Sequence, residues 1–212
     1  MKVAVIDYGM GNLHSVLKSL QAVNENGADI FLTRDPEAVV KADKVVFPGQ
    51  GAMPDCMREL NRHGLAEAVR ETTQSKPFFG ICVGAQLLFE HSEEGDTAGL
   101  GLFPGKVVRF ADDQVAGGER LKVPHMGWNQ VYQTRSHPLF AGIADGERFY
   151  FVHSYHFAPA DAALTLAESD YPQRFACIVG RGNIFATQFH TEKSHRAGLQ
   201  MMKNFLAWDG NV

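Results

Sequence analysis

Cys82 is the residue whose setting most directly implies chemistry. It lies in Gly80-Ile81-Cys82-Val83-Gly84, entered by the apolar run Pro77-Phe78-Phe79 and left by the helical pattern of Leu87 and Leu88. A nucleophile on a sharp strand-to-helix turn needs small residues two positions either side, because the backbone there is bent and crowded. Gly80 and Gly84 stand at both offsets. Such an elbow would place the sulfur at the start of a helix, where amides and dipole favour thiolate over thiol. The plainer alternative, a buried structural cysteine, leaves both glycines unexplained.

A thiol nucleophile needs a base, and the base needs an orienting group. The sequence holds nine histidines, and His190 has the most telling frame, Ala186-Thr187-Gln188-Phe189-His190-Thr191-Glu192. A strand pattern from Ile184 to Phe189 runs into His190. Residues i and i+2 of an extended chain point to the same side, so Glu192 can hold the imidazole in one tautomer and stabilise its charged form. Taken alone, a histidine at a strand end beside a surface glutamate is commonplace. Attack on an amide also creates an oxyanion, for which each preorganised donor is worth about 2.7–4 kcal/mol. The Val83 amide, next after the nucleophile, is one natural donor. Pro48-Gly49-Gln50-Gly51 follows a predicted strand at the same sheet edge and can bring a second, since glycine lets a peptide approach closely or flip; the alternative is an ordinary Pro-Gly turn. Gln86, one helical turn beyond Cys82, points back toward the same pocket. No metal site is expected at His153 and His156, which lack a carboxylate or third ligand at suitable spacing.

The elements that must position these residues alternate at first. Val3 to Ile6 reads as a buried strand, followed by Leu13, Val16, Leu17, Leu20 and Val23 at helical spacing. Ile30 to Leu32 and Val45 to Phe47 are further strands, and Asp35-Pro36-Glu37 opens a helix with a cap, a first-turn proline and an early acid. Residues 54–73 read as helical, and a fourth strand leads into Cys82. This alternation predicts a parallel sheet with helices on both faces. Beyond Gly105 the signals become short strands: Val107–Phe110, Asn129–Gln133, Arg148–His153, Leu164–Ala167, Phe175–Val179 and Ile184–Phe189. A helix carrying Leu199, Met202, Phe205 and Leu206 closes the chain, and Asp112 to Gly118 reads as a mobile loop. Gly9-Met10-Gly11 after the first strand is not a dinucleotide fingerprint, because His14 occupies the place of the third glycine.

Composition agrees with one large domain: 212 residues, of which 45% are hydrophobic, are enough for a full core. A net charge of −4 provides no basic stripe for nucleic acid. The apolar run before Asp7 is too short for a signal peptide or a membrane span. Cys56, Cys82 and Cys177 are sparse, odd in number and without zinc-ligand spacing, which fits a reducing cytoplasm.

Gly80-Ile81-Cys82-Val83-Gly84 together with His190-Thr191-Glu192 resembles the class I (triad) glutamine amidotransferase family. Thr191 departs from the family, where proline is usual at that position; proline there mainly stiffens the backbone, so the acid is still expected to reach His190. Asp7-Tyr8-Gly9-Met10-Gly11-Asn12, Pro48 to Gly51, Pro124-His125-Met126-Gly127-Trp128-Asn129 and Phe151-Val152-His153-Ser154-Tyr155 are similar to the glutaminase subunits of imidazole glycerol phosphate synthase. The match runs over nearly the whole chain.

The resemblance implies a flavodoxin-like α/β fold in a single amidotransferase domain, 1–212: a mostly parallel central sheet, helices on both faces, and extra antiparallel strands in the C-terminal half. It also implies glutamine hydrolysis through a cysteinyl thioester at Cys82, with His190 and Glu192 completing the triad and Gly49-Gln50-Gly51 as the oxyanion strand beside Val83. Gln86, Ser154 and Tyr155 would bind L-glutamine. The expected partner is a separate cyclase chain, a (β/α)₈ barrel that consumes the ammonia, with Asn12, Trp128 and Lys193 as contact candidates, polar or aromatic as suits an interface. No cofactor, metal, nucleic acid or membrane is implied. Two other readings stay open here: a glutaminase subunit of another synthase, such as that of pyridoxal phosphate, and a docking subunit whose triad is impaired by Thr191.

Overall fold

The computed structural model describes residues 1–212. Its first half alternates as β1 (Lys2–Ile6), α1 (Leu13–Ala22), β2 (Asp29–Thr33), α2 (Pro36–Lys41), β3 (Lys44–Gly49), α3 (Met53–Arg62), α4 (Leu65–Thr72), β4 (Phe78–Cys82) and α5 (Val83–Gln86). Then follow β5 (Phe89–Ser92), β6 (Thr97–Ala98), β7 (Phe103–Arg109), the small hairpin β8 (Val115–Ala116) and β9 (Glu119–Arg120), β10 (His125–Gln133) and β11 (Glu147–His153). The chain ends with β12 (Tyr155–Pro159), β13 (Thr165–Asp170), β14 (Arg174–Arg181), β15 (Ile184–Thr187) and α6 (His195–Ala207).

The central sheet runs β2-β1-β3-β4-β15 with every neighbour parallel. Every residue of β3 and β4 is buried, as in strands covered on both faces, whose sequences are near-continuous apolar runs. Two sets of helices supply the cover: α1 packs with α6, and α2 and α3 with α4. Beyond β15 the sheet turns antiparallel through β14, β12 and β7, with β13, β10 and β11 joined to it. The expected mixed sheet is therefore present, and no helix is long and apolar enough to cross a membrane.

The structure corrects several boundaries. The helical stretch expected over 54–73 is two helices, because Gly64 adopts φ +67° between them, a left-handed residue that ends a helix. The helix after Cys82 is a single turn. Leu87 and Leu88 leave it because their carbonyls accept sideways hydrogen bonds from the amides of Leu100, Leu102 and Phe103, which fix the entry into β5. Strands β5 and β12 have no counterpart in the sequence pattern, and β15 stops at Thr187 rather than Phe189. The segment from Asp112 to Gly118, read as a loop, carries β8. The predicted cap of α2 is made as expected: Asp35 Oδ1 accepts the Glu37 N–H at 3.0 Å.

Candidate active site

The turn that presents Cys82 is sterically determined. β4 ends in register with β3, Cys82 opposite Gly49, and the chain then bends through φ +54°, ψ −117° at Cys82, a conformation costly for a residue with a side chain. The bend brings α5 down onto β3: a Cβ at Gly84 would lie 2.0 Å from the Phe47 carbonyl oxygen. A Cβ at Gly80 would stand 3.1 Å from the Ala85 Cα, which is tight but not closed. Because α5 is only one turn, its dipole is small, correcting the expectation of a full helix behind the sulfur; the amides of Val83 and Gly84 remain the local donors.

His190 reaches Cys82 from the other side of the sheet edge. It follows β15, where its N–H donates to the Tyr150 carbonyl at 3.0 Å, tying it to β11. Ser194 completes the tie: its hydroxyl donates to the His190 carbonyl at 2.6 Å and accepts the Tyr150 N–H at 3.0 Å. His190 Nδ1 lies 2.7 Å from Glu192 Oε1, with both side chains buried. The contact arises in a tight 3₁₀ turn, Thr191–Lys193, rather than in the extended segment the sequence implied. The carboxylate is acceptor-only, so Nδ1 carries the proton. Nε2 has no hydrogen-bond partner and is buried beside the Cys82 sulfur. Burial alone pushes the imidazole down; the Cys82 sulfur and then Glu192 outweigh it and raise His190 to about 10. The threonine at 191 thus leaves the histidine–carboxylate contact intact.

Cys82, Val83, Gln86, Ser154, Tyr155, His190, Gln50 and Gly51 line one pocket of about 280 Å³. Gly49 is not on its wall: it is buried beneath, where a Cβ would meet Gly84 N at 2.4 Å and the Tyr8 hydroxyl at 2.6 Å. The strand above it is anchored from below. Cys56, whose thiol is pushed up to about 11 by burial, donates its S–H to the Gln50 carbonyl at 3.6 Å. A planar trans peptide then sends the Gly51 N–H the opposite way, out of the core.

A family model described as class-I glutamine amidotransferase matches residues 4–208. The chain belongs to that family. It is 66% identical to "Imidazole glycerol phosphate synthase subunit HisH" of Neisseria meningitidis serogroup A, covering 98% of this chain and 100% of the relative. It is 62% identical to the protein of the same name from Aromatoleum aromaticum, covering 97% of this chain and 98% of that one. Among solved structures, one described as a glutamine amidotransferase superposes with a TM-score of 0.72 at 18% identity, covering 97% of each chain. The structure of PurLQS from Thermotoga maritima gives 0.71 at 16%, again covering 97% of each chain. At such identities the two structures support the fold alone.

The interface candidates of this amidotransferase fall around one rim. Trp128 is 42% exposed and stacks on His195 with centroids 4.9 Å apart, two residues beyond Lys193. Asn12 begins α1, which packs against the Thr191–Lys193 turn; its Oδ1 accepts the Ser15 hydroxyl at 2.9 Å instead of capping a backbone amide. Sequence reasoning missed Glu94, a carboxylate on the pocket wall held by the Met53 N–H at 2.8 Å. It also missed Ser194 and Cys56. None of the three stands in a local pattern that marks its role; each acts through a partner supplied by the fold.

Proposed function

We propose that this chain is the glutaminase subunit of an imidazole glycerol phosphate synthase, a single amidotransferase domain acting in the cytoplasm. The observation that carries the reading is the convergence of Cys82 on its elbow and a Glu192-bound His190 on one small pocket. Names of full-length relatives support the choice among synthases.

L-Glutamine lies with its carboxamide against Cys82. The thiolate attacks the carboxamide carbon, a C–S bond forms, and the Val83 N–H with an amide of Gly49-Gln50-Gly51 receives the oxyanion. His190 as imidazolium protonates the leaving nitrogen, the C–N bond breaks, and ammonia departs from a thioester. His190, now neutral, takes a proton from water as it attacks, and glutamate leaves with Cys82 regenerated. Glu192 holds the ring and steadies its charge. Gln86, Ser154 and Tyr155 hold the amino-acid end, and Glu94 offers its carboxylate to the α-ammonium group. Free ammonia would be protonated in bulk water, so it passes through a sheltered path to the partner, a (β/α)₈ cyclase docked near Asn12, Trp128 and Lys193. There it is used to make imidazole glycerol phosphate and an aminoimidazole carboxamide ribotide.

The test is Cys82→Ser in the complex with the cyclase. Glutamine-dependent synthesis is expected to vanish while synthesis from added ammonium salts continues at the wild-type rate. Retained glutamine-dependent turnover would remove Cys82 from its role, and a wild-type complex that releases no glutamate would sink the reading as a whole.

A further inference from the structure

Two histidines beside Tyr155 are not used by the triad: His153 borders the pocket, and His125 lies behind it. Strands β10 and β11 pair antiparallel with His125 directly opposite His153, and the two residues are only 4% and 6% exposed. Successive residues of a strand face opposite sides, so on β10 His125 and Asn129 turn inward while Met126, 66% exposed, and Trp128 turn outward. Aromatic neighbours fix the plane of His125, which is stacked on Tyr171 at 4.1 Å and on Phe151 at 4.9 Å.

The hydrogen bonds of this cluster run in one direction only. Asn129 Oδ1 accepts the Gln130 N–H at 2.8 Å, and Asn129 Nδ2 donates to the Asp170 carbonyl at 2.8 Å. Those two backbone partners settle which end of the amide is nitrogen. Its second hydrogen faces His125 Nε2 at 3.2 Å, so Nε2 is an acceptor and the His125 proton sits on Nδ1. Nδ1 then donates to His153 Nε2 at 2.9 Å. That places the His153 proton on Nδ1, which donates to the Tyr155 carbonyl at 2.7 Å. The same carbonyl accepts Gln86 Nε2 at 3.2 Å, whose other hydrogen goes to Gln188 Oε1 at 3.1 Å. Both donors of the Gln86 amide are thereby used, and its oxygen alone is left for the pocket.

A proton added to either histidine would set two N–H donors face to face. Burial acts in the same sense, pushing His125 down to about 4 and His153 well below its ordinary value. No three His, Cys, Asp or Glu side chains come together here as a ligand set. Every ring nitrogen of the pair is consumed by the relay.

We propose that His125 and His153 are positioning residues for the amide substrate: a one-way relay from β10 fixes the Tyr155 carbonyl and, through it, the Gln86 amide with its oxygen facing the substrate. The ligand class is a molecule offering an N–H donor at that point, as glutamine does; this rests on the glutaminase reading above. The relay also joins the outward face of β10, which carries Trp128, to the substrate wall through a single strand.

Two measurements test it. Nitrogen-15 imidazole NMR of the chain is expected to show His125 and His153 neutral, both protonated on Nδ1, from pH 5 to 8. An Nε2–H tautomer or an imidazolium at either ring would overturn the relay. Steady-state glutamate release by the complex with the cyclase is the second. His153→Leu should raise the glutamine KM about tenfold, as expected for one lost buried hydrogen bond, with kcat within about twofold. His153→Asn keeps a donor near the Nδ1 position and should hold KM within about threefold of wild type. If His153→Leu does not fold, the His153→Asn kinetics and the NMR tautomers still decide. An unchanged KM in His153→Leu, or a loss confined to kcat, would refute the proposal. A wild-type complex without glutaminase activity would instead refute the functional reading, while the tautomers still test the relay.

Discussion

The two walls of the pocket are built by different physics. The wall that carries Cys82 is set by exclusion: buried parallel strands, a one-turn helix pressed onto β3, and a glycine whose added Cβ would overlap the Phe47 carbonyl oxygen. The wall that carries His190, Ser154 and Tyr155 is set by direction: the Ser194 bridge to Tyr150, the Glu192 contact, and the histidine relay behind Tyr155. Close packing tolerates no gradual change. A hydrogen-bonded wall tolerates replacement of one group by another that donates in the same place. The nucleophile side should therefore fail abruptly on mutation and the base side by degrees.

The largest effect is expected at Gly84. Gly84→Ala must displace the β3 backbone, since all three nearest atoms belong to Phe47 and Pro48, at about 3 kcal/mol or more. For a chain of this size, that is a fall in Tm of about 6–12 °C, together with loss of glutamate release. Gly80→Ala meets Ala85 and Ala186 at 3.1–3.2 Å and should cost only about 1 kcal/mol. Equal thermal shifts for the two variants would break the claim that exclusion at one point shapes this wall.

On the other wall, His190→Ala should abolish turnover, whereas Glu192→Gln should leave a measurable fraction, because the acid orients and stabilises rather than transfers the proton. Glutamate assays on the purified complex rank the two, and the reverse order would overturn the assignment. Smaller still is a shift in titration. The Cys82 sulfur leads the influences that raise His190 against burial. In Cys82→Ala only Glu192 remains to oppose desolvation, so the His190 midpoint should fall well below about 10, as read by NMR. In the wild type the charged ring adds stability that is complete below the unfolded value near 6.5 and is lost as pH rises through about 10. An unchanged midpoint in the variant would mean that the sulfur is not what holds the proton there.

The same contrast explains what was legible in the sequence. A steric requirement is written locally, so glycines two positions either side of Cys82 disclose the elbow; the one directed contact that the sequence also discloses, His190 with Glu192, spans only three residues. Apolar runs likewise disclose the parallel strands. Most of the directed hydrogen bonds are written in two distant places: Glu94 meets Met53 across 41 positions, and His125 meets His153 only through the β10–β11 register. Pattern reading finds Pro124 to Asn129 as one motif and Phe151 to Tyr155 as another. What joins them is a pairing that periodicity does not encode. The miscounted helix after Cys82 has the same origin, since Leu87 and Leu88 fit a helical stripe until the amides of Leu100 and Leu102 claim their carbonyls.

Thr191 gives the finest test of the hydrogen-bonded wall. It opens the turn that brings Glu192 to His190, and its hydroxyl is buried without a partner. The first position of such a turn suits proline, whose fixed φ fits and whose missing N–H the turn does not use. His190, at φ −88° and ψ 102°, already has the extended backbone that a residue before proline must adopt. Thr191→Pro should therefore stabilise the fold by about 0.4–1 kcal/mol through a stiffer unfolded chain, raising Tm by about 1–4 °C. Glutamate release should stay within about twofold of wild type, because the 2.7 Å contact between His190 and Glu192 is already formed with threonine in place. A fall in Tm would show that the proline ring strains this turn. A large gain in kcat would show instead that threonine leaves the acid loosely held, so that direction on this wall is weaker than its distances imply.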